Sequence, residues 1–304
     1  MPVYSVPRHI WRAIYPILIF FALSIIVVAA VAVPFFLRFA VESAGSGVMP
    51  SVSSVDGQVE AFVASYGMLT QLFASGAGVL VFALMWRKVR VSYLNYENNL
   101  LSPKLVLLTI LLGAVLNIAL ASLFVLTDIT RFFPTYEGIA ETLMSGNFIT
   151  RLLALGIAAP IVEELCCRGI VFNRLASWTP VWVAVLVSSA LFGAMHLNVL
   201  QGLYAFVLGV VFCTLYVRYR NLWIPIIGHV AFNSANVLLV EALTIADVEA
   251  SLEADATAAV IPFLVSAFIA AACIFAMIKH TAPAAPVPVA EVDSGSDEME
   301  VYAE

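Results

Sequence analysis

The chain has little charge. Only 11% of its 304 residues are Asp, Glu, Lys or Arg, where a soluble globular domain carries about 25%. Hydrophobic residues make up 62%, and the mean hydropathy is +1.02. This balance argues against a soluble enzyme, a disordered chain and a nucleic-acid binder. It points to a polytopic membrane protein, rather than the one or two soluble domains that length alone suggests. A basic excess is also missing. The net charge of −6 comes from residues 281–304, where Glu291, Asp293, Asp297, Glu298, Glu300 and Glu304 stand without a Lys or Arg. The remainder counts 14 basic against 14 acidic residues, so nothing calls for a polyanionic partner. Cysteine is scarce: Cys166, Cys167, Cys213 and Cys273 lie in apolar stretches without a CxxC spacing. They read as small buried hydrophobes. Strand alternation is absent, which argues against a β-barrel.

What is there is a series of long apolar runs. A bilayer core about 30 Å thick needs roughly 20 apolar residues in a helix. Ala13–Leu37, Ala61–Trp86 and Leu105–Thr127 supply three spans, and a fourth begins near Phe148 and runs into Glu163, Glu164 and Arg168. Leu175–Val217 has one ionisable residue, His196, and room for two short spans. Asn221–Val240 and Ala256–Ile278 complete eight. The expected fold is therefore all-α, with about eight transmembrane helices. Pro16, Pro34, Pro160, Pro225 and Pro262 fall in or near spans, where membrane helices tolerate them. The expected organisation is 1–147 as three helices with loops, 148–280 as a catalytic membrane core, and 281–304 as a disordered acidic tail on the cytoplasmic side. With an even span count both termini share a side. Arg8, Arg12, Arg87, Lys88, Arg90, Lys104, Arg174, Arg218, Arg220 and Lys279 then lie together, against Arg38, Arg131 and Arg151 opposite. The positive-inside rule makes the first set, and both termini, cytoplasmic. The cell membrane is the expected location.

Ionisable residues inside a membrane cost at least ~2.5 kcal/mol each at the bilayer centre, so those present are functional candidates. Here they are Glu163, Glu164, Arg168, His196 and His229, with Asn233 one turn beyond His229. Glu164 and Arg168 stand at i and i+4 on one helix face and neutralise each other. Glu163 diverges by about 100° and has no local partner. A desolvated carboxylate of that kind can serve as a general base. His229 and Asn233 share a face, and Gly156, Gly169, Gly193 and Gly228 let neighbouring helices approach. The set suits water activation: Glu163 takes a proton, His196 positions the water, and His229 and Asn233 donate to an oxyanion. Glu163, His196 and His229 would equally suit zinc, although the HExxH signature is absent. A proton-relaying transporter is disfavoured, because the first three spans carry no ionisable residue.

Glu163-Glu164-x-x-x-Arg168, Phe192-x-x-x-His196 and His229-x-x-x-Asn233, in that order on apolar helices, resemble the CPBP family. This is the CAAX-protease and bacteriocin-processing group of intramembrane endopeptidases, also called Abi. The resemblance covers roughly Phe148 to Val240. It implies an intramembrane protease fold with a cavity opening toward the cytoplasm. Glu163 and His196 would activate water, His229 and Asn233 would hold the oxyanion, and Glu164 and Arg168 would give structural support. A membrane-associated or prenylated peptide or protein is the implied substrate, with membrane lipids as surroundings. Family members are often labelled metalloproteases, so zinc and a metal-free glutamate mechanism both stay open. A non-catalytic immunity or scaffold protein of the same fold is the alternative. Cys166-Cys167 departs from the larger apolar residues usual there. Depth poses a further question. At 1.5 Å per residue, Glu163 and His229 agree on a level in the cytoplasmic third, whereas His196 counts out about 22 Å from the inner side.

Overall fold

Apolar helices make up most of the described residues. The computed structural model describes residues 5–46, 50–93, 101–144, 146–246 and 256–280. The helices are α1 (Val6–Ser46), α2 (Val52–Tyr93), α3 (Pro103–Thr127) and α4 (Pro134–Met144). A continuous helical run over residues 148–176 follows as α5, then α6 (Val181–Ala194), α7 (Val199–Tyr219), α8 (Trp223–Ala246) and α9 (Val260–His280). No strand occurs among the described residues. The acidic stretch beyond Ala246 and the tail from residue 281 lie outside them.

Six helices, α1, α2, α3, α7, α8 and α9, are long and apolar enough to cross a membrane. The other two expected spans differ from that pattern. α6 has 14 residues, about 21 Å of helix, short of a 30 Å core. α5 is interrupted by two π-helical segments, Leu152–Ala158 and Leu165–Phe172. The first precedes Pro160, which has no N–H to give and crowds the carbonyl one turn back. Ala159 N–H bonds to Ala154 O instead, and the carbonyls of Leu155 and Gly156 are taken by Asn233 and Ser234 of α8. In the second, Asn173 Nδ2 donates to Arg168 O and Gly169 O, 3.1 and 2.9 Å away. Such bulges survive in a membrane only where side chains satisfy the freed carbonyls.

Helix ends follow local chemistry. Ser102 Oγ accepts from Leu105 N before Pro103 opens α3. Asn147 caps α5, and Asn198 caps α7 through Gln201 N. Pro225 and Pro262 fall in first turns, where a missing N–H has no intrahelical partner to lose. α1 and α2 run past their apolar stretches at both ends, and α4 falls where a loop is expected. Two clusters of buried side chains form the core. One joins α1, α2, α5, α6 and α7, and the other joins α3, α7, α8 and α9. Small residues set the closest approaches. A Cβ on Gly113 of α3 would lie 2.2 Å from Gly228 O of α8, and one on Gly193 of α6 2.5 Å from Gly202 O of α7.

The two ends of the bundle differ in charge. Arg8, Arg12, Arg87, Lys88, Lys104, Arg174, Arg218, Arg220 and Lys279 mark one end. No Asp or Glu lies there among the described residues. Arg38, Arg131 and Arg151 mark the other, and each is paired with an acid, Glu42, Asp128 and Glu241 respectively.

Candidate active site

Glu164 and Arg168 are almost wholly buried, at 0% and 1% exposure. Their i, i+4 spacing on α5 gives an ion pair with Nη1 to Oε1 at 2.8 Å. Arg168 also donates to Gly209 O of α7 and lies 4.6 Å above the Phe192 ring. The same Glu164 oxygen accepts from His229 Nδ1 at 2.8 Å. This second bond crosses from α5 to α8, and no local sequence pattern signals it. It fixes the tautomer and orientation of the imidazole, as a carboxylate behind a catalytic histidine does. Phe212 stacks on His229, and Phe192 meets it edge-on, with ring centroids 5.5 and 5.6 Å away.

With Nδ1 held by Glu164, His229 Nε2 lies 3.7 Å from Glu163 Oε2. Glu163 keeps 16% of its side chain exposed, whereas Glu164 has none. Two adjacent carboxylates thus occupy different surroundings, as their divergence around the helix requires. Glu163 lines a cavity of about 540 Å³, together with His196, His229 and Asn233. The four residues given a catalytic role in the sequence analysis therefore share one space. His196 sits just past α6, with Nδ1 3.0 Å from Phe192 O. When Nδ1 carries the proton, Nε2 is left as the free nitrogen of the ring. The next residue, Leu197, has φ +55, a left-handed conformation costing a bulky side chain about 1–3 kcal/mol. That reversal turns the chain into α7 directly behind His196.

Asn233 Nδ2 donates to Leu155 O at 3.0 Å. An amide nitrogen has two hydrogens, so one remains for a ligand while the other closes the α5 bulge. His196 and His229 line the same cavity although their counted depths differ. Helix α4 packs beside the cavity and contributes Tyr136, Ile139 and Leu143 to its wall. Tyr136 meets Phe124 edge-on at 5.7 Å, and Asn198 Nδ2 donates to Thr135 Oγ1 at 3.3 Å. Several neutral polar residues that a search for ionisable groups passes over also line the wall. They are Gln71, Asn117, Gln201 and Asn236. Asn117 is buried, and its Oδ1 has no hydrogen-bond partner among the described residues.

Zinc was an open reading for Glu163, His196 and His229. Among the described residues, no three His, Cys, Asp or Glu side chains are grouped to hold a metal ion. His229 commits Nδ1 to Glu164, and its Nε2 is the nitrogen that faces Glu163. Cys166, Cys167, Cys213 and Cys273 are free and buried, as expected of small hydrophobes.

Comparison with known proteins converges on the same segment. Residues 145–235 match the family model described as type II CAAX prenyl endopeptidase Rce1-like. A Bacillus subtilis (strain 168) protein named "Putative membrane peptidase YdiL" is 33% identical over 88 residues. That match covers 29% of this chain and 36% of the relative, so the chain spans about a third of the curated relative's length. No solved structure matches the chain. The matched segment contains all three motifs and the helices α5 to α7 with most of α8. Both matches are thus to membrane peptidases, over the segment that carries the motifs.

Proposed function

We propose that the chain is an intramembrane endopeptidase. It hydrolyses a peptide bond of a membrane-associated or lipidated substrate, using Glu163 as general base. The observation that carries this reading is the pair of unlike carboxylates. Glu164 is sealed against Arg168 and orients His229, while Glu163 faces the cavity beside the other nitrogen of that ring. A cavity of this size is typical of a ligand site and accommodates a short unwound peptide segment.

In the proposed reaction Glu163 takes a proton from water, and His196 Nε2 positions that water. The hydroxide attacks the scissile carbonyl, and the C–O bond forms as the π bond breaks. His229 Nε2–H and the second N–H of Asn233 donate to the oxyanion. When His229 is an imidazolium, Glu163, Glu164, Arg168 and His229 sum to zero charge. As the proton moves to Glu163, the negative charge moves to the oxyanion, so the site never carries a net charge. The C–N bond then breaks, and Glu163 returns its proton to the leaving amine. No step needs a metal.

The test is cleavage of a panel of single-span peptides, some prenylated, by the detergent-purified protein, with and without a chelator. We expect one bond of at least one peptide to be cut, at a rate unchanged by the chelator. Loss of activity with chelator and its return with zinc would overturn the metal-free mechanism. Failure to cut any peptide would contradict the endopeptidase reading.

A further inference from the structure

The cavity runs from Glu163 and His229 toward one end of the bundle. Its walls come from Asn117 and Phe124 in the second half of α3, Leu155 early in α5, Gln201 in the first turn of α7 and Asn236 in the second half of α8. Each of these helix halves points to the same end, where α4 and the α6–α7 turn also lie. Asn198 joins those two directly. The nine basic residues described above stand at the opposite end. The cavity end has three basic residues, each neutralised by a neighbouring carboxylate. Lys and Arg bias of this kind fixes which end of a helical membrane protein stays in the cytoplasm.

We infer that the site is entered from the non-cytoplasmic face of the membrane. Resting on the peptidase reading, this names the substrate class: exported or outward-anchored peptide segments that reach the site from the outer side. It runs against the cytoplasmic opening that the family resemblance implies, and against a lipidated cytoplasmic C-terminus as substrate. The short α6 fits the same picture. With its 14 residues starting at the basic end, it stops short of the far surface. His196 is thereby left within the membrane at the bottom of a space open to the other side.

The test needs no catalysis. All four native cysteines are buried, so a cysteine placed on the surface is the group a membrane-impermeant maleimide reaches. Thr127→Cys, at the exposed C-terminal end of α3 beside the cavity, and Ser5→Cys, exposed at the basic end, are labelled in intact cells expressing the full chain. We expect Thr127→Cys to react in intact cells and Ser5→Cys only after permeabilisation. The reverse pattern, or equal labelling of both, would overturn the inference. A pair of single-span reporters carrying one cleavable segment at the outer or the inner end of the span then tests the substrate. We expect only the outer reporter to be cut, and cutting of only the inner one would overturn the assignment. If labelling is as expected and neither reporter is cut, the face of access stands and the peptidase reading fails.

Discussion

Glu163→Gln is expected to lower the rate of peptide cleavage by about 10²- to 10⁴-fold, the range that a general base contributes, while the fold is kept. Gln has the shape of Glu but cannot take a proton from water. The substitution should be mild for stability, because Glu163 lies outside the sealed network. Its side chain retains 16% exposure, and its ion-pair contact is His229 Nε2 at 3.7 Å. Substrate should still bind, so the loss falls on kcat rather than KM. Single-turnover cleavage beside a thermal melt in detergent checks both halves. A variant that melts normally and cuts at the wild-type rate would remove Glu163 from the chemistry.

Glu164→Ala should behave in the opposite way, losing the fold first. It strands a guanidinium that is 1% exposed, with Gly209 O and the Phe192 ring as its remaining contacts. Breaking a buried pair from one side costs about 3–5 kcal/mol, whereas replacing both partners with apolar side chains can be neutral. Adding Arg168→Met to Glu164→Ala should therefore recover much of the lost melting temperature. Activity should stay lost in the double variant, because His229 Nδ1 has no acceptor and the ring can turn. A double variant that melts like wild type and also cleaves would show that Glu164 serves the ion pair alone.

The residues of the site were legible because ionisable groups are costly in apolar helices and stand out there. Glu163, Glu164, Arg168, His196, His229 and Asn233 all reach one site, and the Glu164–Arg168 pair follows from helix geometry alone. The bond from Glu164 to His229 spans 65 positions, and no local pattern encodes a contact of that range. Asn117, Gln71 and Asn236 were missed for a related reason. Neutral amides do not interrupt a hydropathy profile, yet they line the cavity as fully as the charged groups do. Helix α4 was passed over because it is short and includes Glu137 and Glu141, so it fails a search for long uncharged runs. The division of Leu175–Val217 into a 14-residue and a 21-residue helix rests on a tight turn after His196, which hydropathy does not mark. The end-to-end charge difference was visible from the start. Its consequence for the site appeared only once the cavity had a place in the bundle.

The most direct test of the central claim is hydrolysis in heavy-oxygen water by the wild-type protein, followed by mass analysis of both the products and the Glu163-containing fragment. If Glu163 acts as a general base, the new product carboxylate gains one heavy oxygen and Glu163 gains none over many turnovers. Heavy oxygen accumulating on Glu163 would mean that its carboxylate attacks the substrate itself, and would contradict the mechanism proposed here.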